Sequence, residues 1–212
     1  MYIPAAFRVS EEATILSFIE RYDFSTIVTS SASDGMVATH VPVLVKRDGD
    51  RVVLQGHVAR ANEHWRGFDG RTQALAIFHG PHGYVSPTWY ATSPAVPTWN
   101  YAVVHLYGRP VVTEDRHAVS RILEALVKKY ESRRPRPYRT GELTRAFYDE
   151  MVARIVAFEM PVEKIEAKFK LGQNRSREDR EGAVNGLMAE GSPDAATLAA
   201  FMREHADLEP PP

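Results

Sequence analysis

The sequence predicts an α+β chain built on an antiparallel barrel, and three observations lead there. Short runs of alternating side chains recur along the chain and read as six or seven strands. Amphipathic helical stretches are inserted between them, and no βαβ unit repeats, so a parallel sheet is not expected. With 212 residues and a hydrophobic fraction of 44%, the chain can fill one sizeable core but hardly two.

From the N-terminus, Ser10 can cap a helix over 11–22, with Glu11 and Glu12 in its first turn and Ile15, Leu16, Phe18, Ile19 and Tyr22 on one face. Residues 24–29 are β-rich. Asp34-Gly35 supplies a turn into a strand over 36–45, where Val37, Thr39, Val41, Val43 and Val45 alternate with Ala38, His40, Pro42 and Leu44. Pro42 argues for an edge or a bulge. Asp48-Gly49 turns into a strand over 51–58, so three strands joined by tight turns are expected as a meander.

Gly56-His57-Val58-Ala59-Arg60-Ala61-Asn62 then leads into a short helix containing Trp65 and Phe68. A helix N-terminus preceded by a guanidinium is a natural anion site, since free backbone N–H groups and the dipole favour negative charge. The plainer reading pairs Arg60 with a nearby carboxylate. Strands over 75–78 and 84–86 flank a turn-like His79-Gly80-Pro81-His82-Gly83.

Residues 96–108 form the stretch around which the chain is organised. From Trp99 onward Trp99, Tyr101, Val103, His105 and Tyr107 share one face, and Asn100, Ala102, Val104, Leu106 and Gly108 the other. The small and aliphatic set suits a packed interior. The aromatic face is left for a partner subunit or a flat ligand, and its size predicts a homodimer. A second amphipathic helix over 114–130 buries Val119, Ile122, Leu123, Leu126, Val127 and Tyr130. An arginine-rich linker over 132–139 and a helix over 143–151 follow. Residues 155–171 return to β character, Pro161 breaking them into two strands; Lys168 and Lys170 share a face of the second. From Ser176 the chain is helical in pieces, with Leu198, Phe201 and Met202 in a weak terminal helix before a disordered Pro210-Pro211-Pro212 end. The main domain is therefore placed at 1–175 and a C-terminal helical extension and tail at 176–212.

Charge and composition exclude several functions. Lys plus Arg number 26 against 27 Asp plus Glu, a net charge of -1, so no global field draws nucleic acid; any DNA contact needs a local patch such as the 132–139 arginines. Zero cysteines remove disulfides, thiolate metal sites and a catalytic thiol. The start lacks a basic and apolar leader and no run reaches membrane-spanning length, so a cytoplasmic protein without a membrane partner is expected. His79 and His82 are the closest histidine pair, but no acidic residue lies beside them and a metal is not expected. Neither G-x-G-x-x-G nor a P-loop occurs, and Ser86 has no nucleophile elbow. The parts that remain are Thr39 and His40, then His57, Arg60 and Asn62, then Lys168 and Lys170, together with Trp99, Tyr101 and Tyr107. They suit a ligand with an anionic tail and a flat ring, such as flavin mononucleotide (FMN).

Five ordered stretches carry a family resemblance: Ala38-Thr39-His40-Val41-Pro42; Gly56 through Asn62; Tyr84-Val85-Ser86-Pro87-Thr88-Trp89-Tyr90; Val96-Pro97-Thr98-Trp99-Asn100-Tyr101 with Val104-His105-Leu106-Tyr107-Gly108; and Lys168-Phe169-Lys170-Leu171-Gly172-Gln173-Asn174-Arg175. With the opening Met1-Tyr2-Ile3-Pro4, they resemble the PaiB-type, FMN-binding negative transcriptional regulators, nearly over the whole chain. Gly172 departs from the pattern, where serine is expected. The resemblance implies an antiparallel split β-barrel of the flavin-reductase and pyridoxamine-phosphate-oxidase kind with flanking helices, a homodimer, and FMN in the cleft between subunits. It implies that Thr39, His57, Val58, Arg60 and Asn62 hold the ribityl phosphate, and that Trp99, Asn100 and Tyr101 line the ring. Either Lys168 and Lys170 or the following Gln173 and Asn174 would close the pocket, from the same subunit or the other. Two functions stay open: a flavin-binding regulator acting on DNA directly or through a regulatory protein, and a flavin-dependent oxidoreductase acting on a small molecule.

Overall fold

Among the residues described by the computed structural model, 1–31 and 35–205, the elements run β1 (Arg8–Val9), α1 (Glu12–Arg21), β2 (Phe24–Ser31), β3 (Gly35–Pro42), β4 (Leu44–Asp48), β5 (Arg51–Ala59), β6 (Ala74–Val85), β7 (Thr98–Gly108), β8 (Val111–Val112), α2 (Arg116–Glu131), α3 (Arg145–Ala153), β9 (Ile155–Lys170), α4 (Arg177–Glu190) and α5 (Pro193–Glu204). Asp34 of the expected first turn and the expected disordered end at 210–212 lie outside the described residues. The strand order is β3-β2-β6-β7-β9-β5-β4, with β1 and β8 also paired to β9. The fold is the expected α+β one, an antiparallel split-barrel sheet with flanking helices. By packing, the chain forms two units. One comprises Met1–Phe18, His79–His105 and the described chain from Glu166 on; the other comprises Ile19–Phe78 and Leu106–Ile165.

In the second unit, β2 pairs with β3 and with β6, and β5 pairs with β4 and β9, all antiparallel. Asp115 caps α2 by accepting from His117 N and Ala118 N. The helix buries Val119, Ile122 and Leu126 beside Ala157 of β9, with Leu44, Leu123, Val152 and Ile155 packed around them. Each such aliphatic side chain contributes about 1.5–3 kcal/mol by leaving water. Tyr130, expected on the same face, is 42% exposed and instead donates its hydroxyl to Asp23 Oδ2 at 2.6 Å.

Three expectations are corrected in the strands. The stretch 36–45 is not one strand: β3 ends at Pro42, Val43 is fully buried, and β4 begins at Leu44 as the partner of β5. β3 and β4 thus stand at opposite ends of the strand order, so the three-strand meander does not form, and Pro42 closes an edge strand. Pro161 does not break β9, which is continuous over Ile155–Lys170. It pairs with Val53 at the last position of the β5 ladder, where a missing N–H costs little.

In the first unit, β6 runs unbroken through the expected turn at 79–83. Its glycines serve close packing: a Cβ on Gly80 would enter the Phe18 ring, and one on Gly83 would meet Leu198 Cδ2 at 3.0 Å. The C-terminal helices are better packed than a weak extension. Ser176 caps α4 and Ser192 caps α5. Leu187, Leu198 and Phe201 are buried, and the Phe201 ring meets Phe169 edge-on at 5.3 Å and Phe18 at 6.1 Å.

Candidate functional site

The second unit collects the residues expected at a phosphate. Thr39 on β3 accepts from Asn62 Nδ2 at 3.1 Å, and Asn62 Oδ1 in turn accepts from the backbone N of His64 at 3.2 Å. The His64 ring, 6% exposed, lies with Nδ1 2.8 Å from Thr39 Oγ1 and Nε2 2.8 Å from Thr29 Oγ1. One proton order satisfies every member: Asn62 donates to Thr39, Thr39 donates to His64 Nδ1, and His64 Nε2–H donates to Thr29. Burial holds the His64 pKa below its ordinary value, which favours that neutral ring. Sequence reasoning missed His64 and Thr29, because a lone histidine after an asparagine cap carries no periodic signal.

His57 on β5 offers a different feature. Its Nδ1 is buried without a hydrogen-bond partner among the described residues, and burial lowers its pKa as well. Val58, beside it, is 3% exposed and pairs with Val156 in the ladder between β5 and β9. His40, alternating with Thr39, faces outward, where Nδ1 meets Thr26 Oγ1 at 2.9 Å and its ring stacks on Phe24 at 6.3 Å.

Arg60 has no carboxylate partner among the described residues, against the plainer reading. Its Nε donates to Ala153 O at 2.8 Å and its Nη2 to Ile155 O at 2.9 Å, while the guanidinium lies 5.9 Å from the Trp65 ring centroid. The side chain thereby ties the end of α3 to the start of β9, and Nη1 is the nitrogen left for an anion. The helix expected after Asn62 is a five-residue 3-10 turn, Glu63–Gly67, whose cap is filled by Asn62. The helix-dipole part of the anion argument falls with it.

The first unit holds the aromatic and lysine residues. Lys168 is 6% exposed; its Nζ donates to Tyr2 O at 3.2 Å and sits 5.1 Å over the Tyr101 ring and 5.6 Å over that of Tyr2. A buried ammonium needs such compensation. Lys170 Nζ donates to Thr98 Oγ1. Its pKa is lowered first by burial and further by the Lys168 charge, against a raising effect of Tyr101. Trp99 is 53% exposed and lies 6.0 Å from the His82 ring. Together with Tyr101, His79, His82 and His105 it lines an open cavity of about 460 Å³. The lysines and this aromatic face thus meet at Tyr101.

Three expected residues are placed otherwise. Asn100, 2% exposed, points into the core and donates to Met202 Sδ at 3.6 Å. Gln173 is consumed by its own turn, accepting from Leu171 N at 2.8 Å and donating to Phe169 O at 2.6 Å. Asn174 is exposed beside it. Tyr2 and Thr98, the immediate partners of the two lysines, were not singled out as site residues in the sequence. Among the described residues no group of three or more His, Asp or Glu side chains is placed to hold a metal ion.

Residues 1–164 match the family model described as "Putative FMN-binding domain". The chain belongs to this family. Among curated proteins, this FMN-binding-domain chain is 34% identical over 204 residues to the protease synthase and sporulation protein PAI 2 of Bacillus subtilis, covering 96% of this chain and 97% of that one. The PaiB-type resemblance is thereby borne out. Among solved structures, the FAD and heme binding protein of Mycobacterium smegmatis aligns with a TM-score of 0.58 at 19% identity, over 87% of this chain and 80% of that one. The flavocytochrome Anf3 of Azotobacter vinelandii aligns with a TM-score of 0.54 at 17% identity, over 88% and 76%. At such identities the likeness is one of fold. Gly172, where the resemblance leads to the expectation of serine, has a φ of +89°, a backbone conformation that a serine would adopt only under strain.

Proposed function

We propose that this protein binds FMN as a homodimer, in a cleft between subunits, and acts as a PaiB-type negative regulator of gene expression, on DNA directly or through a regulatory partner. The observation that carries the flavin reading is the Lys168, Lys170 and Tyr101 cluster. It is a partly buried, doubly cationic aromatic surface continuous with exposed Trp99, of the kind that accepts a flat ring with acceptor oxygens and nitrogens along one edge. Lys168 and Lys170 would hold the ring's oxygen-bearing edge by charge, with Trp99 and Tyr101 against its face. The donors Thr39, His57, Arg60 and Asn62 have the chemistry of a phosphate end. The buried, unpartnered Nδ1 of His57 is a polar atom that such a ligand would satisfy. When bound, flavin supplies one- and two-electron redox chemistry. The chain's own residues bind it, orient it and set its surrounding charge.

Dimerisation is supported by the exposed apolar side chains Tyr84, Val96 and Trp99, which are 45%, 68% and 53% exposed. The arginine linker at 132–139 is exposed throughout and is the patch that would meet an acidic partner. The test is an absorbance spectrum of the purified protein, followed by anaerobic addition of NADH or NADPH. Retained flavin without turnover supports the regulator. Rapid reduction with turnover replaces it by the flavin-dependent oxidoreductase, and a colourless protein that takes up no FMN overturns the flavin reading.

A further inference from the structure

Two ammonium groups of the first unit stand together, and neither has an ion-pair partner among the described residues. Glu166, Lys168 and Lys170 occupy alternate positions of β9 and so share one face. Glu166, the carboxylate of that face, pairs with the amine of Met1. Each ammonium has three N–H donors but one hydrogen-bond acceptor among the described residues, Tyr2 O for Lys168 and Thr98 Oγ1 for Lys170. The Tyr2 and Tyr101 rings beside Lys168 add only the partial negative charge of a π face. The two charges also act on each other: Lys170 holds its proton less tightly because of burial and, beyond that, because of Lys168. A neutral donor would hold the same two oxygens without the cost of burying neighbouring like charges, so the pair suits an anion better than it suits a structural tie.

Flavin offers such an anion at its ring. Once the ring has gained two electrons and one proton it carries a negative charge spread over the N1–C2=O edge, whereas in the oxidised ring that edge is only polar. Tyr101 joins the lysines to the open aromatic cavity lined by Trp99. We propose, resting on the flavin reading above, that Lys168 and Lys170 tune the bound ring: they hold its reduced, anionic form more tightly than its oxidised form, and so raise its reduction potential and its reactivity toward nucleophiles at N5. By linkage the ratio of the two affinities fixes the shift in potential, a tenfold ratio being about 30 mV for a two-electron couple.

Two measurements on the full chain saturated with FMN test this. One is the midpoint potential, read against a reference dye during anaerobic reduction with dithionite. The other is titration with sulfite, whose sulfur lone pair adds to N5, forming an N–S bond and moving an electron pair onto the N1–C2=O edge; bleaching of the visible band reports it. The wild-type chain should form the sulfite adduct. Lys168→Met and Lys170→Met should each weaken it at least tenfold and lower the potential by about 30 mV or more, while Lys168→Arg and Lys170→Arg keep most of both. Lys170 is the less buried of the two, so its variants carry the test if Lys168→Met does not fold. Riboflavin, which shares the ring but lacks the phosphate, should show the same differences. The proposal is overturned if no adduct forms, if the methionine variants leave both readouts unaltered, if the arginine variants lose as much as the methionine ones, or if the lysines matter for FMN but not for riboflavin. A chain that takes up no flavin refutes the flavin reading and the tuning together, whereas one that holds FMN and fails these measurements refutes the tuning alone.

Discussion

Gly182 and Gly186, both inside α4, permit a prediction whose sign depends on tertiary packing. In an isolated helix each Gly→Ala change is stabilising by about 1 kcal/mol, because alanine loses less backbone freedom on ordering. Here a Cβ on Gly182 would fall on the Trp89 carbonyl oxygen, far inside contact distance. The turn carrying that carbonyl is held at both ends. Ser86 Oγ accepts from Thr88 N at 3.2 Å, and Asp179 accepts from Thr92 N at 2.9 Å and from Thr92 Oγ1 at 2.6 Å. It therefore cannot yield without breaking bonds that α4 itself makes. Overpacking of this kind costs about 1–3 kcal/mol and occasionally more. Because the obstacle is held backbone, the upper part of that range applies, about 2–3 kcal/mol, so Gly182→Ala should lower stability by about 1–2 kcal/mol net of the helical gain, and the melting temperature by roughly 2–8 °C for a chain of this size. Gly186→Ala meets the indole ring of Trp89, with Cε2 at 2.6 Å; a ring can shift, so its effect should be smaller. Gly141→Ala, with nothing within 4 Å of the added carbon, is the neutral control. The measurement is thermal unfolding followed by circular dichroism. A rise in melting temperature for Gly182→Ala would show that α4 does not lie against the Trp89 turn.

The remaining predictions concern the candidate sites. His57, His64 and His105 all have pKa values lowered, with burial the largest cause, from an ordinary value of 6.5. The unfolded chain therefore binds protons first, so this part of the stability is complete above about pH 6.5 and is lost as pH falls below it. Melting temperature should drop from pH 7 to pH 5, and His64→Gln should make that slope shallower; an unchanged slope refutes the reasoning. Arg60→Ala should weaken FMN roughly tenfold, the lower end for a charged contact of about 1.5 kcal/mol, because Nη1 alone is left to meet the phosphate. Riboflavin, lacking the phosphate, should bind the variant and the wild type equally, and a parallel loss of both ligands would assign Arg60 a structural role alone. Light scattering should give a dimer, and Trp99→Glu should shift it toward monomer; a wild-type chain that stays monomeric while binding flavin removes the intersubunit cleft.

Much of the architecture is local and was legible in the sequence. The alternation of β7 placed Ala102, Val104 and Leu106 in the core and left Trp99 exposed. The period of α2 named its buried face, and the ordered motifs named the family. These signals survive without knowledge of neighbours, because capping, side-chain period and motif spacing are properties of a short segment. Tertiary structure decided what depends on a partner distant in sequence. Pro42 ends a strand because β3 and β4 pair with different neighbours, whereas Pro161 interrupts nothing because it sits where the β5 ladder stops. Gly80 and Gly83 read as turn residues, yet the Phe18 ring and Leu198 pack against them in an unbroken strand. Arg60 spends two donors on carbonyls 93 and 95 residues away, and His64 joins Thr29 and Thr39 from two strands. Hydrogen-bond partners and close approaches of this kind arise only when segments far apart in the chain meet, so the sequence by itself determined where helical and strand character lies, and the tertiary structure decided where strands begin and end and which polar groups remain available to a ligand.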